Sequence, residues 1–88
     1  MRLEMHKFGD VLMSRPAGKE AFALARAYIF SDLESNEQIE LDFAQVKVLA
    51  PSWADEFIAG IKSTFPNEIG YLNTDNESVA ASLKFVLN

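Results

Sequence analysis

Few side chains in this sequence could carry chemistry. His6 is the only histidine and there is no cysteine. That removes thiolate nucleophiles, disulfides, thiolate-bound zinc, iron–sulfur clusters and any site built on two imidazoles. No Gly-x-Ser-x-Gly elbow is present, and nothing brings His6 near a particular serine, so nucleophilic hydrolysis has no support. Ala17-Gly18-Lys19-Glu20 lacks both the upstream glycine and the following hydroxyl of a phosphate loop. Asp55 and Glu56 are adjacent carboxylates about 100° apart on a helix, a poor geometry for a paired acid–base site. Their plainer role is to favour the start of a helix through its dipole.

Ser52 is the most informative polar residue. It follows a strand and opens a helix, where free backbone N–H groups can accept a phosphate and an exposed hydroxyl is open to a kinase. The same position suits a simple N-cap. Trp53 beside it is either the lid of the core or an exposed anchor for a partner.

The elements that must position these residues follow from periodicity. Arg2 to Phe8 alternates loosely and Gly9-Asp10 forms a turn, so a strand is expected that pairs back with Val11-Leu12-Met13 as a hairpin. Ser14-Arg15-Pro16 opens a helix expected from about Pro16 to Leu33, with Ala21, Phe22, Ala25, Tyr28, Ile29 and Leu33 as its buried stripe. Gln38 to Val48 alternates as a half-buried strand, the clearest in the chain. Ala50-Pro51-Ser52 opens a second helix with Ser52 and Asp55 as a capping box, its stripe Ala54, Phe57, Ile58, Ile61 and Phe65. Glu68 to Asn73 reads as a short strand. Thr74-Asp75-Asn76-Glu77 is a capping-box signature for a third helix with Val79, Leu83, Val86 and Leu87 buried. The order ββαβαβα implies an α/β fold, a mixed sheet of about four strands with three helices packed on it.

With 88 residues, 49% apolar and 24% charged, the chain is one globular domain with a thin core. The net charge of −5 disfavours nucleic acid as a partner. It is uneven, since residues 1 to 30 hold five basic and three acidic side chains and the remainder three and ten. No apolar stretch has the length of a bilayer span, and Met1 to Asp10 lacks the apolar segment of a signal peptide, so no membrane role and a cytoplasmic location are expected.

The run Leu41-Asp42-Phe43-Ala44-Gln45-Val46, followed by Pro51-Ser52-Trp53-Ala54-Asp55-Glu56-Phe57, resembles the STAS-like family of uncharacterised bacterial domains. These are relatives of the STAS domains of anti-sigma factor antagonists and sulphate transporters. The family pattern is similar to Leu-Asp-Phe, a short gap, then Ser-Phe-Ala-Asp-Glu, with Trp53 where phenylalanine is usual. An earlier Ser-Arg before an alanine-bearing helix resembles Ser14-Arg15 with Ala17 or Ala21. In the antagonists, the loop between a central strand and the next helix carries an Asp-Ser-Ser-Gly-like motif whose second serine is phosphorylated by an ATPase-fold kinase. Ser52 falls at that serine. Ala50 and Pro51 replace the aspartate and first serine, and Trp53 replaces the glycine.

The resemblance implies a non-catalytic regulatory module, without cofactor or metal. It would dock onto a protein partner, such as a histidine-kinase-like ATPase, through residues 50 to 56. Ser52, Trp53, Asp55 and Glu56, with Arg15 holding the carboxylates, are the expected partner-binding residues, and Ser52 the expected phosphorylation site. A phosphate there would gain the helix dipole but sit near Asp55 and Glu56, which favours constitutive docking over a switch. A structural self-assembly domain is the alternative, because a thin core and an N-terminal edge strand leave surface to cover.

Overall fold

A computed structural model describes all 88 residues. The strands are β1 (Arg2–Glu4), β2 (Val11–Leu12), β3 (Ile39–Asp42), β4 (Val48–Leu49) and β5 (Ile69–Leu72), and the helices are α1 (Arg15–Tyr28), α2 (Pro51–Thr64) and α3 (Glu77–Leu87). Single 3-10 turns at Met5–Phe8 and Phe30–Asp32 complete the order.

The start of α1 follows the sequence reading. Ser14, at φ 76°, stands outside the helix and its hydroxyl accepts the Ala17 N–H at 3.3 Å, satisfying one of the orphan donors of the first turn. The helix ends at Tyr28 and not at Leu33, because Phe30 turns inward on the following 3-10 turn and meets Phe65 edge-on, with centroids 5.4 Å apart. Tyr28 is exposed and does not belong to the buried stripe.

The sheet corrects the expected architecture. There is no N-terminal hairpin and no four-stranded mixed sheet, but a three-stranded sheet in the order β1-β3-β5 and a two-stranded sheet β2-β4, every pairing parallel. The order is ββαββαβα. The first strand stops at Glu4 because Met5 coils into the core, and Gly9 at φ 123° redirects the chain, so β1 and β2 diverge into different sheets. The long strand expected over Gln38 to Val48 breaks between Asp42 and Val48. There Gln45 adopts φ 69°, a left-handed conformation that ends strand pairing.

In the larger sheet Leu3, Leu41 and Tyr71 stand in register, as do Ile39 and Ile69, and they share one face. α1 and α2 pack together over the core. Their closest approach is at Gly18, where an added Cβ would lie 2.6 Å from the Trp53 carbonyl oxygen. The opposite sheet face carries Arg2, Glu4, Glu40 and Asp42, an unusual polar surface for a parallel sheet.

α3 closes the smaller sheet. The Leu49 N–H donates to Ser78 Oγ at 3.0 Å, and the Ser82 hydroxyl donates to the Leu49 carbonyl. These bonds cover the edge of β4. The cap of α3 is Asn76, whose side chain accepts the Val79 N–H at 3.1 Å, and not Thr74. Val79 and Leu83 are buried as expected, whereas Leu87 is exposed. No helix is long and apolar enough to cross a membrane.

Candidate functional site

The site is assembled where β4 passes into α2. The Ala50 N–H is bonded to the Leu12 carbonyl at 2.8 Å, which holds Ala50 extended at the end of the small sheet. Pro51 fixes its own φ and has no N–H to lose, so it becomes the first helical residue. Ala50 is therefore the N-cap and gives no side-chain cap. This corrects the expected Ser52–Asp55 capping box. Ser52 is the second helical residue and half-buried, and its hydroxyl caps nothing. Asp55 and Glu56 lie one turn further in, with no acid in the first turn, so the helix dipole does not account for them.

Their partner is Arg15, the first residue of α1. Arg15 Nη1 lies 2.9 Å from Asp55 Oδ2 and 2.7 Å from Glu56 Oε2. Hydrogen bonds to Asp55 and then Glu56 push the Arg15 pKa up further, so the guanidinium is permanently charged. One cation between two anions leaves a net single negative charge at the junction of α1 and α2. The expectation that Arg15 holds the two acids is met in full.

Arg15, Pro51, Ser52 and Asp55 line one cleft of about 480 Å³ with Phe85 and Val86 of α3. Phe85 is 76% exposed. Its place on this rim was not legible from helical spacing, because it lies off the buried stripe of α3; the only signal was a phenylalanine on a face otherwise polar. Trp53 points the other way. It is 2% exposed, stacked on Phe57 at 5.1 Å and tilted against Phe8 at 5.9 Å. The indole is almost wholly covered and does not line this cleft, so its expected role as an exposed anchor at the start of α2 is corrected.

A second polar cluster lies at the carboxyl ends of β3 and β5, and sequence reasoning missed it. The alternation of β3 placed Asp42 on the solvent side, yet Asp42 is buried. Its Oδ2 accepts from Arg2 Nε at 2.9 Å and Nη2 at 2.6 Å, and its Oδ1 from Asn73 Nδ2 at 2.7 Å and the Ala44 N–H at 3.0 Å. Bonds from Asn73, then Ala44, then Arg2 lower its pKa to about 2. Every partner stabilises the anion. This cluster ties β1, β3, β5 and the turn after β3 together, and with its acceptors filled it is structural. His6 lies exposed on the 3-10 turn that replaces the expected strand over Met5–Phe8.

The parallel strands with helices α1 and α2 packed over the core, and a polar strand-to-helix junction at the start of α2, define a small α/β domain of STAS-like type. The family model described as "STAS-like domain of unknown function (DUF4325)" matches residues 26–79, and the chain belongs to that family. The matched segment holds Asp42, Ser52, Asp55 and Glu56 but not Arg15. Neither a curated protein nor a solved structure matches the chain.

Proposed function

We propose that this domain is a non-catalytic regulatory module that binds a protein partner through the cleft at the start of α2. The observation that carries this reading is the composition of the cleft rim. An exposed Phe85 shares the cleft with an uncapped Ser52 hydroxyl and with Asp55, whose carboxylate is fixed by Arg15, the same guanidinium that holds Glu56. Aromatic side chains are enriched at protein interfaces relative to the rest of a protein surface, and charged groups populate their rims. Both carboxylates already accept from one permanent cation, an arrangement suited to recognition rather than to proton transfer. The likeness to STAS domains supports a histidine-kinase-like ATPase, met in the cytoplasm, as the partner class of this reading.

Ser52 is the position at which a phosphate would control docking. Its hydroxyl is not engaged as a cap, and Arg15 lines the same cleft. Against it stand Asp55 and Glu56, so constitutive docking ranks first and phosphorylation second.

The test is affinity capture with the parent chain and with Asp55→Lys, Glu56→Lys and Phe85→Ser as parallel baits, followed by titration of the recovered partner. The expected result is loss of at least tenfold in affinity (about 1.4 kcal/mol) for each variant, with unchanged circular dichroism. A partner held equally well by all four baits would remove the cleft as its site. Intact-mass analysis of the recovered bait, with Ser52→Asp titrated beside the parent, decides the switch; equal binding and no added phosphate would leave docking unregulated at this residue.

A further inference from the structure

A second surface, distant in character from the α2 cleft, carries an inference of its own. β2 is the terminal strand of its two-stranded sheet. Its inner side is bonded to β4 through the Asp10 and Leu12 carbonyls, so Val11 turns its N–H and C=O away from β4. β4 is closed by the serines of α3. No comparable bond closes β2.

Beside this open edge runs an apolar cleft of about 360 Å³ between β2 and α1, lined by Phe8, Val11, Met13, Leu24 and Trp53 among others. Val11, Met13 and Leu24 are 52%, 55% and 50% exposed. The same surface therefore presents a concavity and apolar side chains standing at its rim, the combination that a two-fold interface needs, because each copy must offer both knob and hole. The only charged residues lining the cleft are Lys7 and Glu20. They have opposite sign, so a copy rotated onto this surface can set Lys7 against the other copy's Glu20 and Glu20 against its Lys7.

The charge of the whole chain points to the same face. Two copies at −5 each repel, and the approach that costs least is through a patch whose own charges cancel. A partner of strong charge would find nothing here to select it. We infer that the β2–α1 cleft is a homodimer interface, in which a second copy of this chain packs its β2 against the open edge and seats Met13 in the facing cleft. This inference is independent of the partner site at α2.

Sedimentation velocity over a concentration series tests it. The parent should show a monomer–dimer equilibrium. Met13→Glu, an exposed position whose change leaves the core intact, should weaken it at least tenfold. Lys7→Glu alone should also weaken it, and the double variant K7E/E20K should recover most of the loss. A parent that remains monomeric at about 1 mM overturns the inference. So does a dimer unaffected by Met13→Glu and Leu24→Glu, which would put self-association elsewhere. A charge swap that recovers nothing overturns the two-fold pairing of Lys7 with Glu20.

Discussion

At the scale of single residues, Asp42 and the Arg15 cluster use the same chemistry to different ends. Both join carboxylate to guanidinium, but Asp42 is buried with all its partners in place, whereas Asp55 and Arg15 are about half exposed. Exposed pairs contribute little to stability. We expect Arg15→Ala to leave the urea midpoint nearly unchanged while altering partner binding. Asp42→Asn should cost on the order of 2 kcal/mol at neutral pH, read from the same midpoint. The sign of the pH dependence follows from the lowered pKa. A carboxylate at about 2 when folded and 3.8 when free stabilises the fold fully above pH 4 and loses that contribution as pH falls from 4 toward 2. Parent and D42N stabilities should therefore converge at the acid end of a titration. A gap that stayed constant down to pH 2 would show that the variant harms packing rather than charge. Alternation could not reveal Asp42, since it gives the face of a residue but not whether Arg2 and Asn73 will cover it.

At the scale of elements, the contact between α1 and α2 makes a sharper prediction than helix propensity does. Alanine favours a helix over glycine by about 1 kcal/mol. At Gly18, however, the new Cβ would meet the Trp53 carbonyl oxygen at 2.6 Å and its Cα at 2.9 Å, all backbone of α2. Backbone cannot step aside, so Gly18→Ala should lose about 1 to 3 kcal/mol in chemical denaturation. At Gly60 the obstacle is the Phe22 ring, first met at 2.6 Å, and Phe22 is only partly buried. Gly60→Ala should cost less than Gly18→Ala, and the reverse ranking would mean that the helices can separate. Helices were the legible part of this fold. The hydroxyl of Ser14, the spacing from Ala54 to Ile61 and the stripe of α3 are local signals, each complete within a few residues. The strand partners were not legible, because a two-residue strand such as Val11–Leu12 carries no mark of what it pairs with. The turn at Gly9 read equally well as a hairpin. For the candidate site, Arg15, Asp55 and Glu56 came from charge and resemblance together, while the caps shifted: a proline at the first helical position displaced Ser52, and Asn76 displaced Thr74.

At the scale of the whole molecule, only 21 of 88 residues are buried, and a domain this size has a stability of roughly 5 to 10 kcal/mol. Trp53 belongs to that core, in one aromatic cluster with Phe8 and Phe57. Trp53→Ala should remove about 3 to 5 kcal/mol, enough to leave much of the chain unfolded on modest warming, as far-UV circular dichroism would record. Retention of the parent's melting temperature would mean that the aromatic stack is dispensable. The same parallel pairings that define the sheets also govern how the chain reaches them. Arg2 meets Asp42 across 40 positions, Asp42 meets Asn73 across 31, and Leu49 meets Ser78 across 29. No strand can pair with a neighbour in sequence, so no hairpin can nucleate. Helix contacts must form first and hold the loops closed until the strands arrive, and folding should be a slow, single-exponential event without an early β intermediate. A chain still being synthesised cannot complete the larger sheet before Leu72 has emerged, nor cover the edge of β4 before Ser82 has, so β3 and β4 each keep an open edge until then.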